Sequence, residues 1–298
     1  MERSFIKLFL QETRFPPEAC RAVLEAWDRV EAAGRLPALR GAVEAYLRSF
    51  STEETQSALE ALAEGCGVPV YTLWLLILMA TAQPARGDFR RRGLGDGLFW
   101  ETFSDLRYKA LECWRVYRVW GVFVAFWYPI FYTGEILKLG RLEYQEGVFR
   151  GEGPVTVGDV TVRPGDPVKQ LHIPSSGEPF TREARLDSYR RAFARFGQKP
   201  LVCVCQSWLL YPPYEAVWPE DSNIRDFARE FRILEETPTA FEDAWRVFGA
   251  APLTGELPSD TALQRSFRRY LSRGGSTGCG SGLLIFDGRQ VLTRRAEP

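Results

Sequence analysis

Apolar residues recur at three- and four-residue spacing through the first 130 residues, then give way to short runs bounded by glycine and proline. Pro16 and Pro17 open a segment with Ala22, Val23, Ala26, Trp27 and Val30 on one face, ending near Gly34, which predicts an amphipathic helix. Ser51 or Thr52 caps the next, whose Leu59 and Leu62 face inward until Gly65 and Gly67 stop it. Pro69 begins the apolar run Tyr71 to Ala82, and Asp105 to Trp120 places Leu106, Ala110, Cys113, Trp114 and Tyr117 on one helical face. Between them, Asp88 to Gly97 holds Arg90, Arg91, Arg92 and three glycines, the composition of a solvated loop. The uncharged stretch Val119 to Gly134, 16 residues with Pro129 inside, is shorter than the ~20 a bilayer span needs and predicts a buried core helix.

The texture changes near residue 134. Leu142 to Phe149, Val155 to Val162 and Asp166 to Ile173 read as strands and hairpins. An amphipathic helix with Leu186, Tyr189, Phe193 and Phe196 follows, then Leu201 to Cys205, apolar at every position as in a strand covered on both faces. A helix between two strands implies a crossover connection. Ser222 caps a helix carrying Ile224, Phe227, Ala228 and Phe231, and Leu234 sits in a short strand. Two more helices follow, the last being Thr261 to Arg273, and a final strand runs from Gly282 to Phe286. The expected architecture is a helical domain over residues 1–133 and a mixed-sheet α/β domain over 134–298.

Composition agrees with this division. The 298 residues suit two domains at about 150 each, and 45% hydrophobic with 26% charged residues describes a well-cored globular chain. Thirty-eight basic residues balance thirty-eight acidic ones, so no net field draws the chain to nucleic acid or an anionic membrane, and neither is an expected partner. None of Lys7, Lys109, Lys138, Lys169 and Lys199 precedes Ser or Thr, which removes a Walker-type phosphate loop. One histidine and six cysteines without a CxxC pair argue against a metal site. The cysteines make no disulfide framework, Asn223 has no glycosylation sequon, and the first eight residues carry charges where a signal peptide is apolar. The expected location is cytoplasmic; oligomeric state is not legible.

Few segments look chemical. Gly274-Gly-Ser276-Thr-Gly278 matches the letters of a nucleophile elbow, but a helix precedes it and a strand follows, so a helix cap and loop is expected. Cys203 and Cys205 share one face of a buried strand and read as packing. The segment from Gln170 to Thr181 joins a strand to a helix start, where free N–H groups and the helix dipole favour an anion, with Arg182 and Arg185 in the first turn. Alternation places Gln170 and His172 on one strand face; His172 either satisfies a loop carbonyl or does chemistry. Cys205-Gln206-Ser207-Trp208-Leu-Leu-Tyr211 brings an amide, a hydroxyl, an indole and a phenol to the same sheet edge if the strands are parallel.

Several ordered motifs then become familiar. They are Asp105-Leu-Arg-Tyr-Lys with Cys113, Leu139-Gly-Arg-Leu-Glu-Tyr144, Gly165-Asp-Pro-Val, Leu171-His-Ile-Pro174, Ser188, Val204-Cys-Gln-Ser-Trp-Leu-Leu210 and Ser222-Asn-Ile224. In this order they resemble a bacterial family of two-part acyltransferases with a helical N-acyltransferase N-terminal domain and a GNAT-like C-terminal domain. The likeness covers residues 100–285 well and the first 100 loosely. It implies transfer of an acyl group from acetyl-CoA or another acyl-CoA to a small-molecule amine. Ordinary GNAT loops carry Arg/Gln-x-x-Gly-x-Gly/Ala where this chain has His172-Ile-Pro-Ser-Ser-Gly177, so only one glycine remains.

On that resemblance, His172 is the expected base and Glu143, acting through water, its alternate. Ser207 or Tyr211 is expected to protonate the departing thiolate. Ile173, Ser175, Ser176, Gly177, Arg182 and Arg185 are the expected coenzyme contacts, and Gln170, Gln206, Trp208 and Asn223 the substrate contacts. The competing expectation is a GNAT-like module that binds a ligand or protein without chemistry, since fold does not certify activity.

Overall fold

Proline and hydroxyl caps set where the helices begin. A computed structural model of the chain describes residues 2–197, 200–241, 243–249 and 257–295, which group into two units. One holds the residues up to Lys138 with Pro174–Ser176; the other holds Leu139–Ile173 and the described residues from Gly177 onward.

In the helical unit, α1 (Arg3–Glu12) leads to α2 (Pro17–Ala32), whose Pro17 occupies the first helical position, where a missing N–H costs nothing. After α3 (Leu36–Ser49), Ser51 Oγ accepts from the Glu54 amide at 3.2 Å and starts α4 (Thr52–Cys66), which ends on left-handed Gly67. The 22-residue α5 (Val70–Arg91) is buried without a gap from Thr72 to Ala82. A helix apolar on all sides must be surrounded. Accordingly α1 to α4, α6 (Gly95–Phe103), α7 (Asp105–Tyr117) and the one-turn α8 (Pro129–Tyr132) pack on it. Phe9, Phe99, Trp100 and Phe103 interlock beside it, with Phe9 edge-on to Trp100 at 5.8 Å.

The structure corrects two expectations here. Residues 88–97 are mostly helix, because α5 continues to Arg91 and α6 starts at Gly95. Arg86 and Arg90, one turn apart, both clasp Asp96 at 2.5 and 2.6 Å, so the arginine-rich stretch is the solvent side of a helix end. The stretch 119–134 is not one core helix: it makes a 3-10 turn, Ala125–Trp127, and then α8, with Tyr128, Phe131 and Tyr132 buried. No single described helix is long and apolar enough to cross a membrane.

The second unit is built on β2, β5, β6, β8 and β7 of a six-stranded sheet whose order is β1-β2-β5-β6-β8-β7. The strands are β1 (Ile136–Leu139), β2 (Leu142–Val148), β5 (Pro167–His172), β6 (Leu201–Ser207), β7 (Arg232–Pro238) and β8 (Gly278–Phe286). A separate hairpin pairs β3 (Val155–Val157) with β4 (Val160–Val162). The neighbours β5 and β6 run parallel, and parallel neighbours need a crossover; α9 (Arg182–Phe196) supplies it. The chain then forms α10 (Asn223–Ala228), α11 (Ala244–Phe248) and α12 (Ala262–Ser272), the last opened by a reciprocal Thr261–Gln264 capping box. A helical half followed by a mixed-sheet α/β half is what the hydrophobic pattern predicted.

Candidate active site

Strand register decides which side chains meet. Glu143 stands across from His172, and Gln145 across from Gln170. Gln170 is level with Val204, Gln206 with Ser281, and Ser281 with Glu235. Because side chains alternate, these residues share one face of the sheet. Tyr144, Leu171, Cys203, Cys205 and Leu284 occupy the other, beneath α9, where the Tyr144 and Ser188 hydroxyls lie 2.9 Å apart and Tyr189 packs on Phe286. Burial pushes the Cys205 thiol up to about 12 and the Cys203 thiol further, so both are packing groups and neither is a nucleophile.

The polar face opens into a groove of about 850 Å³. Its floor carries Gln170, His172, Val204, Gln206 and Ser281, and its walls are the Val148–Val155 connection and the Arg232–Glu235 part of β7. At the far end the β3–β4 hairpin lays Val155, Val157, Val160 and Val162 over Val168, Val202, Leu283 and Ile285. Arg232 ties that hairpin down by donating to the Thr156 carbonyl at 2.9 Å. The groove is thus apolar at one end and hydrogen-bonding at the other.

Two features mark the polar end. The His172 Nε2 atom lies 3.0 Å from Gln145 Oε1. In addition, β5 and β6 pair only at Lys169–Cys203 and Gln170–Val204, although β5 continues to His172 and β6 to Ser207. Beyond that level β6 stays with β8 down to Ser207–Gly280, so the β5–β6 pairing stops short of the ends of both strands.

The expected site residues do not all come together. Gln170, His172 and Gln206 line the groove, and Glu143 is buried directly across the strand pair from His172. Ser207 points to the opposite face from Gln206, where its hydroxyl accepts from the Leu209 amide at 3.2 Å. Trp208 packs against Trp218 and Phe267, and Tyr211 is buried in the same cluster with its hydroxyl on Ser276 at 3.1 Å. The single sheet edge expected for Gln206 to Tyr211 is therefore corrected: alternation sends Ser207 away, and the 3-10 turn Trp208–Leu210 carries the rest into an aromatic core. Asn223 is exposed at the start of α10, where its carbonyl accepts from Arg185 at 3.3 Å.

Arg185 is the clearest correction among the coenzyme contacts. Its guanidinium is fully buried, and all five N–H groups are engaged: Nε with Glu230, one terminal nitrogen with the Phe180 and Asn223 carbonyls, the other with Asp226 and Glu230. It locks α9 to α10, with no donor left for a phosphate. Arg182 is exposed. Ile173 follows β5, Ser175 and Ser176 group with the helical unit, and left-handed Gly177 (φ 75°) leads to Thr181, which caps α9 through the Ala184 amide. The Glu183 carboxylate turns back on its own amide and the Thr181 hydroxyl, which hold it below the usual carboxylate range. That carboxylate now uses donors an anionic ligand would take.

Sequence reasoning missed Gln145, Ser281, Arg232 and Glu235. The alternation Glu143-Tyr144-Gln145 was enough to find the first; the others required the strand order. Among the described residues, no group of three or more His, Cys, Asp or Glu side chains is placed to hold a metal ion.

Comparison with known proteins now decides the family. The N-acyltransferase N-terminal domain matches residues 4–134, and the GNAT-like C-terminal domain matches residues 136–284. The chain belongs to this two-domain acyltransferase family. The acyltransferase fold extends to solved structures. An acyltransferase in complex with decanoyl-CoA and teicoplanin is 23% identical, with 94% of this chain and 87% of that one covered at a TM-score of 0.70. An acyltransferase in complex with CoA and 10C-teicoplanin is 24% identical over 93% of this chain and 86% of that chain, also at 0.70. A point mutant in complex with octanoyl-CoA gives 24% identity, the same coverage and 0.68. A search of curated proteins finds no match.

Proposed function

We propose that this acyltransferase moves an acyl group from acyl-CoA to a small-molecule amine by direct transfer in the groove. The observation that carries the reading is the end of the β5–β6 pairing two residues before His172, which lines an 850 Å³ groove. An extended pantetheine arm has amides that suit the backbone groups of the two strands beyond that pairing, and its thioester then reaches the level of His172. The solved acyltransferases of this fold bind octanoyl- and decanoyl-CoA, which supports an acyl-CoA donor and makes medium chains the first to test. The phosphates fit the Gly177–Arg182 turn, provided that Glu183 swings out of the helix end.

Chemistry follows from the groups present. The amine attacks the thioester carbonyl carbon, a backbone N–H of β5 or β6 stabilises the oxygen that gains charge, and His172 accepts the amine proton. The C–S bond then breaks and the thiolate leaves with its electron pair, to be protonated from the His172 imidazolium. Glu143, across the strand pair, is the alternate base. Release of free thiol from acetyl-, octanoyl- and decanoyl-CoA with a panel of amines tests the reading. Turnover that falls about 100-fold or more in His172→Gln supports the base. Thiol release in no amine's presence, with coenzyme still bound, would make the domain a binding module.

A further inference from the structure

One wall of the groove owes its chemistry to an irregular strand. In β7, Ile233 stands across from Gly282 and Glu235 across from Ser281, so Leu234 is an extra residue that β8 does not match. In an unbroken ladder Leu234 would face Ser281, and Glu235 would turn to the other side of the sheet. The bulge instead keeps Leu234 on the apolar cluster under the β3–β4 hairpin and brings Glu235 into the groove. A charge that only guards the sheet's edge needs no such device, because the neighbouring Glu236 is already exposed there.

The carboxylate joins a polar row that crosses the sheet. Two residues on from the Gln170–Val204 pair, His172 comes level with Gln206, and Ser281 and Glu235 continue the row. Glu143 stands at the near end, across from His172. Three strand spacings separate His172 from Glu235, about 14 Å between backbones. The cations of the groove lie elsewhere: Arg232 is one row away and donates to the Thr156 carbonyl, and Arg150 shares the other wall with Glu152. Among the described residues, the Glu235 carboxylate hydrogen-bonds only with Thr237, whose hydroxyl donates at 3.4 Å, longer than a strong bond of this kind.

We propose that Glu235 is a specificity-determining residue that holds a second ammonium group of the acceptor, so that the amine substrate is a diamine or polyamine. This deepens the direct-transfer reading above and rests on it for the place of acylation. That place is the His172–Glu143 end of the row, whichever of the two accepts the proton. One amine loses its proton there and attacks the thioester. The other stays protonated at Glu235 in a charge-assisted hydrogen bond, with Gln206 and Ser281 as neutral groups between. A monoamine of the same length leaves the carboxylate without its partner, and an acceptor with an anionic far end is repelled.

The test uses the full chain, octanoyl-CoA and a ladder of α,ω-diamines from butane- to decanediamine, each beside the monoamine of equal length. The wild type is expected to favour at least one diamine over its monoamine about tenfold or more in kcat/KM. Glu235→Gln, which keeps the volume and drops the charge, is expected to bring that ratio down to about one through a higher KM for the diamine. Glu235→Asp, which keeps the charge, is expected to retain a preference. A wild type without the preference overturns the proposal, and so does a preference that survives in Glu235→Gln. Calorimetry of diamine binding with coenzyme A present needs no turnover and should show the same loss, about tenfold, in Glu235→Gln. Equal diamine affinity in the two proteins overturns the proposal as well. Failure of the transfer reading, seen as no thiol released with any amine, is therefore a separate result from failure of the ammonium site.

Discussion

Replacing Arg185 with methionine should unfold the sheet unit more readily rather than simply weaken coenzyme binding. Arg185 is fully buried beside Glu230, which is 1% exposed, and its five N–H groups are all engaged. Removing the cation leaves Glu230 charged and buried, with only the Tyr189 hydroxyl at 2.6 Å and Arg294 at 3.8 Å in compensation. Breaking one side of such a pair costs about 3–5 kcal/mol. For a unit of this size, roughly 2–4 °C per kcal/mol converts the loss into a fall of about 10 °C in Tm. Calorimetry of the full chain reads it, with a coenzyme A titration run well below the transition. Arg185→Met with Glu230→Gln should recover about 1–3 kcal/mol, because the second change removes the stranded charge. Exposed Arg182 is the contrasting case: Arg182→Glu should leave Tm nearly unchanged and, if the turn holds phosphate, weaken coenzyme A. An Arg185→Met protein that melts within about 2 °C of wild type and binds coenzyme A more weakly would refute the reasoning and return Arg185 to the ligand.

Asp96, held well below the usual carboxylate range by Arg90 and then Arg86, contributes stability that is present above its unfolded pKa of about 4 and is lost as pH falls through the lower folded value. Asp96→Asn should flatten the decline of Tm between about pH 4 and 2, and parallel slopes would count against the clasp. Burial pushes the Cys113 and Cys205 thiols up to about 12 and raises Cys203 as well, so alkylation of the native protein near pH 8 should mark Cys66 and Cys279 and spare those three until denaturant is added. Peptide mapping checks this, and rapid native labelling of Cys205 would mean that its strand opens.

The architecture was legible because period is a backbone property. The change from helical spacing to short bounded runs located the two halves, and the helix between β5 and β6 announced the crossover. The elements that escaped are those whose composition imitates something else. Val119–Gly134 is apolar because Tyr128, Phe131 and Tyr132 fill a core at a turn, not because one face of a helix is buried. Residues 88–97 look like a loop because three glycines and three arginines are punctuation by letter. The pairing of Arg86 and Arg90 with Asp96, which makes them a helix end, is a tertiary fact. Only four residues long and buried at every position, β1 offers no alternation to read.

Within the site, alternation identified Gln170 with His172, because two residues on one strand share a face whatever the neighbours are. It failed for Ser207, Trp208 and Tyr211, whose fate depends on where β6 ends. That end is fixed by glycine. In β8 a Cβ on Gly280 would lie 2.2 Å from the Leu210 carbonyl, and one on Gly282 2.9 Å from Phe231 Cβ. The sequence marks the Gly274–Gly278 segment as a cap and loop and starts the strand at Gly282, yet β8 starts at Gly278 and its bare positions let the Trp208–Leu210 turn close over the sheet. The closed turn keeps the end of β6 against β8 as far as Ser207–Gly280, while the β5–β6 pairing already stops at Gln170–Val204. A run of small residues whose letters read as a cap and loop therefore makes room for the Trp208–Leu210 turn, which carries Trp208 and Tyr211 away from the groove and into the aromatic core.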